Sequence, residues 1–184
     1  GTLFPYTTLF RSGPQQSGDV SISSDNSTIT TGTVQTRAPN GTSGNITLDT
    51  FSVRGDIRTA NVNTVGGRAA GAVQILAADG SVITENLQSS SSGGTAGGID
   101  VQAGGGNVQT GDQTVSAGQG DANINVGASG DISTGNQTAT TNNGNASINN
   151  EAGGNINLRD QIATATGGNA SINNEAGGNI TVGG

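Results

Sequence analysis

Apolar residues recur along this chain in pairs two positions apart, and the pairs themselves return about every 24 to 28 residues, a repeat-protein spacing. One set comprises Val20/Ile22, Ile46/Leu48, Val73/Ile75, Ile99/Val101 and Ile124/Val126. A period of two marks a strand buried on one face, so each pair predicts a short strand. In the last two copies the pairs become Ile148/Asn150 and Ile172/Asn174, which puts asparagine into an inward column. A second set begins with a Gly-(Asp/Asn/Ser)-(Ile/Val) triplet at Gly55-Asp56-Ile57, Gly80-Ser81-Val82, Gly106-Asn107-Val108, Gly130-Asp131-Ile132, Gly154-Asn155-Ile156 and Gly178-Asn179-Ile180. Here glycine is expected to supply the positive φ of a sharp turn, and the polar residue to cap that turn locally. Two residues beyond the aliphatic position stand Thr31, Thr59, Thr84, Thr110 and Thr134, which the same parity places on the inner face. A third set runs Val34, Val62, Leu87 and then Gln113, Gln137, Gln161, followed by Val115, Ala139 and Ala163. Glutamines spaced one repeat apart are expected to stack as an internal ladder, in which each buried amide finds its neighbour.

The period is sharpest near the end, where GNASINNEAGGNI at residues 144–156 recurs unchanged at residues 168–180. Fixed self-similarity of this length signals a solenoid. Three short strands per repeat, Gly- and Asn-rich turns and aliphatic inner columns predict an all-β, right-handed parallel β-helix with about 24 to 28 residues per coil. A leucine-rich repeat would need LxxLxL, and propeller blades need about 40 residues or more. A left-handed hexapeptide helix would show its apolar residue every six positions. Six full coils and a fragment are expected, as one repeat region over residues 13–184 that is truncated at both ends. The early copies carry longer connections, at residues 37–44, 65–71 and 89–98, all after the third strand. Their later equivalents shrink to residues 141–144 and 166–168, so the insertions fall on one edge, where variable contacts would be expected.

Composition changes the picture once residues 1–12 are set apart. Thr2 to Ser12 reads TLFPYTTLFRS, which matches codon for codon the translation of a common short-read sequencing adaptor, and the stretch has neither the charged start nor the apolar run of a signal peptide. It is expected to be non-native. Phe51 is then the only aromatic residue of 13–184, so aromatic packing cannot hold the core. Residues 13–184 have no Cys, His, Met, Trp or Lys, and five arginines stand against thirteen acids, a formal charge of −8. That balance disfavours nucleic acid as a partner. Such Gly, Ser, Thr and Asn content ordinarily signals disorder, and the periodicity overrules it. No apolar run approaches the roughly 18 residues of a membrane helix.

A β-helix can be an enzyme, so the placement of its acids in columns matters. Asp56 and Asp131 share a turn column three coils apart, about 14 Å at the strand spacing, beyond the roughly 5 to 9.5 Å of glycosidic carboxylate pairs. Asp112 and Asp160 share another, with Asn136 between them. Glu151 and Glu175 fall on adjacent coils about 4.8 Å apart and read as solvent-facing decoration, with weak cation binding as the alternative. Without histidine there is no conventional triad or zinc site. No catalytic, cofactor or metal residue is therefore assigned, and no cofactor is expected. Calcium-binding GGxGxDxUx nonapeptides find no match, and the outward column Thr30, Arg58, Ile83, Gln109, Ser133, Asn157, Thr181 lacks the threonine row of an ice-binding face.

The units GNITLDT (residues 44–50), GDISTGNQT (130–138) and GGNINLRDQI (153–162) resemble the repeats of filamentous-haemagglutinin-like exoproteins, the β-helical passengers of two-partner secretion, in their cyanobacterial form. The resemblance covers about residues 18–184. It implies export through an outer-membrane transporter and a secreted or cell-surface rod for adhesion, with surface glycans or proteins of a host as partners. The expected function is a structural stalk or adhesin segment without catalysis; the alternative is a fragment of a carbohydrate-active β-helix enzyme, a lyase or hydrolase.

Overall fold

The computed structural model describes residues 8–25, 27–53 and 55–183. Its 21 strands, numbered along the chain, are dealt in rotation onto three parallel sheets of seven. The first sheet holds β2 (Val20–Ser24), β5 (Ile46–Val53), β8 (Val73–Asp79), β11 (Ile99–Ala103), β14 (Ala122–Ala128), β17 (Ala146–Ala152) and β20 (Ala170–Ala176). The second holds β3 (Ile29–Thr31), β6 (Ile57–Thr59), β9 (Val82–Thr84), β12 (Val108–Gln109), β15 (Ile132–Ser133), β18 (Ile156–Leu158) and β21 (Ile180–Val182). The third holds β1 (Leu9–Ser12), β4 (Val34–Ala38), β7 (Val62–Gly66), β10 (Leu87–Ser91), β13 (Gln113–Ala117), β16 (Gln137–Thr141) and β19 (Gln161–Ala165). The chain is thus a parallel β-solenoid of about seven coils with three strands per coil.

The columns seen in the sequence are the pairing register of the structure. Val20, Ile46, Val73, Ile99, Ile124, Ile148 and Ile172 are successive partners, and the step between them varies in the early coils before the last two steps become equal. The aliphatic positions of the second and third sheets align in the same way. Their side chains fill one continuous core from Val20 to Leu158. Thr31, Thr59, Thr84, Thr110 and Thr134 are all buried, as parity predicts. Thr84, Thr110 and Thr134 each donate to the carbonyl of the following residue at 3.0 Å, so the hydroxyl closes the turn from inside. In the last coil no further described coil stacks on the inward side chains, and Ile172, Ile180 and Val182 are 44 to 49% exposed.

Part of the stretch read as adaptor-derived, residues 1–7, lies outside the described residues. The rest supplies β1, which lies parallel to β4 with Leu9 beside Val34. Three of its four side chains are exposed. An open strand edge offers unpaired backbone groups to any extended segment, so such pairing asks little of the side chains.

The turn glycines do a different job from the one expected. Among the described residues only Gly120 and Gly144 have positive φ, +77° and +141°. The glycines of the Gly-(Asp/Asn/Ser)-(Ile/Val) triplets provide clearance instead. A Cβ on Gly130 would lie 2.1 Å from Asn107 Oδ1, and one on Gly154 would lie 2.2 Å from Asp131 Oδ1. The side chain of the preceding coil occupies that space because it caps the next coil and not its own turn. The Ser81 N–H donates to Asp56, the Asn107 N–H to Ser81, the Asp131 N–H to Asn107, the Asn155 N–H to Asp131 and the Asn179 N–H to Asn155. In a parallel stack the corner N–H groups lie along the axis, and a short side chain one coil back is the acceptor within reach. Two further corners repeat the device, through Asn61, Asn86, Asp112 and Asn136, and through Asp121 and Asn145.

The early insertions, expected to be places for variable contacts, form a fourth ladder. Gln16, Thr42, Ala69 and Thr95 are linked as successive parallel bridges. Ser43, Ala70 and Ala96 are buried beneath it. The carbonyls this ladder turns inward are satisfied from the third sheet: Thr36 Oγ1 donates to Gly44 O at 2.6 Å, Thr64 Oγ1 to Gly71 O at 2.5 Å and Ser89 Oγ to Gly71 O at 3.0 Å. Long connections that stack on one another bury their own backbone polarity, and so behave as structure and not as loops.

In the late coils the core turns polar. Gln113 and Gln137 are fully buried, and the ladder runs from Gln161 Nε2 to Gln137 Oε1 at 2.8 Å and from Gln137 Nε2 to Gln113 Oε1 at 2.9 Å. Gln113 Nε2 ends the series on Thr110 Oγ1 at 3.0 Å. The inward asparagines join it crosswise. Gln137 and Asn150 exchange two bonds, Nε2 to Oδ1 at 2.8 Å and Nδ2 to Oε1 at 2.9 Å, and Gln161 and Asn174 do the same at 3.2 and 2.7 Å. Asn150 Nδ2 also donates to Asn174 Oδ1 at 2.8 Å. The glutamine column donates towards the start of the chain and the asparagine column towards its end, which lets each buried amide serve as donor and acceptor.

Candidate functional site

The outer face of the first sheet carries an ordered side-chain ladder and a groove. Parity along β11, β14, β17 and β20 turns Asp100, Asn125, Asn149 and Asn173 outward in one column. Their side chains form an external ladder. Asn125 Nδ2 donates to Asp100 Oδ1 at 2.9 Å, Asn149 Nδ2 to Asn125 Oδ1 at 3.1 Å and Asn173 Nδ2 to Asn149 Oδ1 at 2.9 Å. Two residues further along each strand lies a second outward column: Asp49, Leu76, Gln102, Gly127, Glu151 and Glu175.

Beside this second column runs a groove of about 660 Å³, crossing five coils from Leu76 to Gly177. Its floor is small because the residues that follow the column are Ala103, Ala128, Ala152 and Ala176 and the corner is Gly104, Ser129, Gly153 and Gly177. The column is interrupted at Gly127, where a Cβ would meet Gln102 Oε1 at 2.1 Å; Gln102 leans over the glycine while its Nε2 holds Asp100 at 2.9 Å. The glutamate pair stands at one end. Glu151 and Glu175 are direct register partners, both exposed, with no hydrogen bond or ion pair among the described residues. At one strand spacing in water their repulsion is about 1 kcal/mol, which solvent tolerates. Leu76, Gln102 and Gly127 escaped the sequence reading, although the parity that placed Glu151 outward places them in the same column.

Among the remaining acids, Asp56, Asp112 and Asp131 stand at corners and cap the next coil. Asp56 Oδ1 accepts the Ser81 N–H at 2.9 Å while Oδ2 pairs with Arg58 at 3.1 Å. Asp131 Oδ1 accepts the Asn155 N–H at 2.6 Å, and Asp112 Oδ1 the Asn136 N–H at 2.8 Å. Asp160 donates its own N–H to Asn136 Oδ1 at 3.3 Å. Asp56 and Asp131 remain three rungs apart, and Asn136 separates Asp112 from Asp160. Asp49 differs from all of these: Oδ1 is buried with no partner among the described residues, and desolvation pushes its carboxyl above the usual range. The described residues contain no group of three or more His, Cys, Asp or Glu side chains that could hold a metal ion.

Comparison of the chain with protein-family models, with curated proteins and with solved structures gives no match in any of the three.

Proposed function

We propose that this chain is a stalk segment of a secreted or cell-surface exoprotein of the filamentous-haemagglutinin-like kind, a spacer that carries or contributes adhesive contacts and performs no catalysis. One observation carries the reading: the inward side-chain columns stay aligned from coil to coil in all three sheets, and the corner acids Asp56, Asp112 and Asp131 are committed to backbone N–H groups of the next coil. A carboxylate that caps the next coil serves the rod's length. The same oxygen is then not free to move a proton to or from a substrate. Repetition of this sort sets a distance, because each further coil adds about 4.8 Å at the same cross-section. The partners expected of such a segment are surface glycans or proteins, with the groove above Gly127 as a shaped face for them.

Antibodies raised against the folded segment should label intact cells that produce the parent protein, and protease applied outside the cell should abolish the labelling. Labelling that requires permeabilised cells overturns the reading. Turnover of acidic polysaccharide by the purified rod, lost on Asp112→Asn or Glu151→Gln, would replace it with the enzyme.

A further inference from the structure

Two Asn-Gly steps occur in the chain, Asn40-Gly41 and Asn143-Gly144, and the fold treats them oppositely. Asn-Gly is the step most open to self-modification, because glycine places no Cβ in the way when its backbone nitrogen turns onto the preceding side chain. Whether it proceeds depends on the freedom of that nitrogen and that side chain.

At the first step the nitrogen is held, although the Asn40 side chain is exposed. The Gly41 N–H donates to Ala38 O at 3.1 Å, and the Asn40 N–H to Pro14 O at 3.0 Å. Gly41 O accepts from the N–H groups of Arg68 and Ala69 in the fourth ladder. Gly41 is buried, and a Cβ there would fall 1.6 Å from Gln15 O, so the peptide is wedged between coils. At the second step neither group is held. Asn143 is exposed, and among the described residues its side chain has no hydrogen bond and the Gly144 N–H has no acceptor. Gly144 sits at φ +141°, a conformation that an L side chain rarely adopts. The neighbouring coils carry Gln119-Gly120 and Gly167-Gly168 at this corner, so coil six alone combines the short amide with the glycine.

We propose that Asn143 is a self-modification site at which the rod slowly deamidates to aspartate and isoaspartate. The Gly144 backbone nitrogen, having given up its proton to solvent, attacks Asn143 Cγ. The new C–N bond closes a five-membered succinimide as the Cγ–Nδ2 bond breaks and ammonia leaves with a proton from water. Water then opens the ring at either carbonyl. Opening at one returns an ordinary aspartyl peptide, and at the other an isoaspartyl linkage with one extra methylene in the main chain. No oxidant, metal or enzyme is needed. The isoaspartyl form lengthens a coil whose neighbours stack at a fixed offset, just before Asn145, which is held between Asp121 Oδ1 and the Asn169 N–H. The modification therefore loosens one defined corner.

The test is peptide mapping of the full chain after incubation at pH 8 and 37 °C, with isoaspartate quantified by the methyl groups that an isoaspartyl methyltransferase transfers to it from S-adenosylmethionine. Isoaspartate should accumulate at Asn143 several-fold faster than at Asn40 in the folded rod. In urea the two steps should converge. The Asn143→Gln variant should lose the signal while keeping the parent melting temperature. The Asn143→Asp variant, which adds the charge without the methylene, should melt above the aged, isoaspartyl-bearing fraction. Equal rates at Asn40 and Asn143 in the folded rod, or no isoaspartate at Asn143, overturn the proposal.

Discussion

The first four coils and the last three solve the same problem with different chemistry. Early coils fill their interior with Val, Ile and Leu and widen the cross-section with the fourth ladder through Gln16, Thr42, Ala69 and Thr95. Late coils drop that ladder, settle on one repeat length, and place Gln113, Gln137, Gln161, Asn150 and Asn174 where Leu87, Val101 and Val126 stood before. The hydroxyl column changes in step. Thr36, Thr64 and Ser89 face insertion carbonyls, and their successors in register are Val115, Ala139 and Ala163, while the late corner carbonyl of Gly120 takes its donor from Thr141 Oγ1 at 2.7 Å instead. An aliphatic column asks for no specific partner atom on the coil before, so it accepts coils whose connections differ in length while the strands keep their alignment. An amide array does not, since each bond fixes its neighbour within a few tenths of an ångström. The invariant repeat length is confined to the coils where amides demand it.

The sharpest break is Gln137→Leu, which removes the shared partner of Gln113, Gln161 and Asn150. Gln113 keeps Thr110, and Asn150 and Gln161 keep Asn174, but the buried oxygens Gln113 Oε1 and Asn150 Oδ1 lose their donor, so the loss should be roughly 3 to 5 kcal/mol by urea denaturation. Replacing all three glutamines by leucine should not repair it, because Asn150 and Asn174 then face an apolar wall. Adding Asn150→Val and Asn174→Val, which copies the early coils, should bring stability to within about 1.5 kcal/mol of the parent. If the triple variant already matches the five-fold one, the crosswise bonds contribute nothing and the two columns are independent.

The columns themselves were legible because a strand period of two nested inside a coil-length repeat is a strong signal, and the inward columns from Val20 to Gln161 were placed in their observed register. The crosswise pairing of Gln137 with Asn150 was not. It joins residues on two different sheets, and seeing it requires the shape of the cross-section, although the joint arrival of Gln and Asn in the same coils was visible. The corner glycines were misread because glycine is associated with positive φ, whereas here a side chain from the coil before needs room. The fourth ladder was hidden because its insertions lack an apolar alternation of their own. The candidate groove was half legible: Glu151 and Glu175 stood out by charge, while Gly127 carries no signal without the lean of Gln102.

In the early coils the comparison is tested at Thr64. Thr64→Val keeps the shape but strips the hydroxyl from Gly71 O, leaving Ser89 Oγ as its only side-chain donor among the described residues. The expected cost is about 1 kcal/mol. The same change has no counterpart in the late coils, where Val115 and Ala139 already occupy the column. Proteolysis should report the local consequence, with faster cleavage between residues 66 and 72 and no change after residue 120. A corner cap should cost less again: Asn107→Ala frees the Asp131 N–H near solvent, and about 0.5 kcal/mol is expected. A loss as large as that of Gln137→Leu would mean that corners, and not the core, set the register.

The smallest effect concerns Asp49, an acid of the early coils that caps nothing. Its buried Oδ1 has no partner among the described residues, and desolvation raises its carboxyl above the ordinary range. The folded state therefore holds this proton more tightly than the unfolded state does. By linkage the stabilisation is fully present below the ordinary carboxylate range and is lost as pH rises through the folded value. At neutral pH the charge is a standing penalty, and it is one that the late coils avoid by placing Gly127 and the solvated Glu151 in the same column. Asp49→Asn should therefore stabilise the rod slightly at pH 7 and leave it unchanged or a little weaker at pH 3. The check is the melting temperature of parent and variant across that interval. A variant less stable than the parent at pH 7 would show that the ionised carboxylate contributes to the fold, and that the early coils hold a charge for a structural reason.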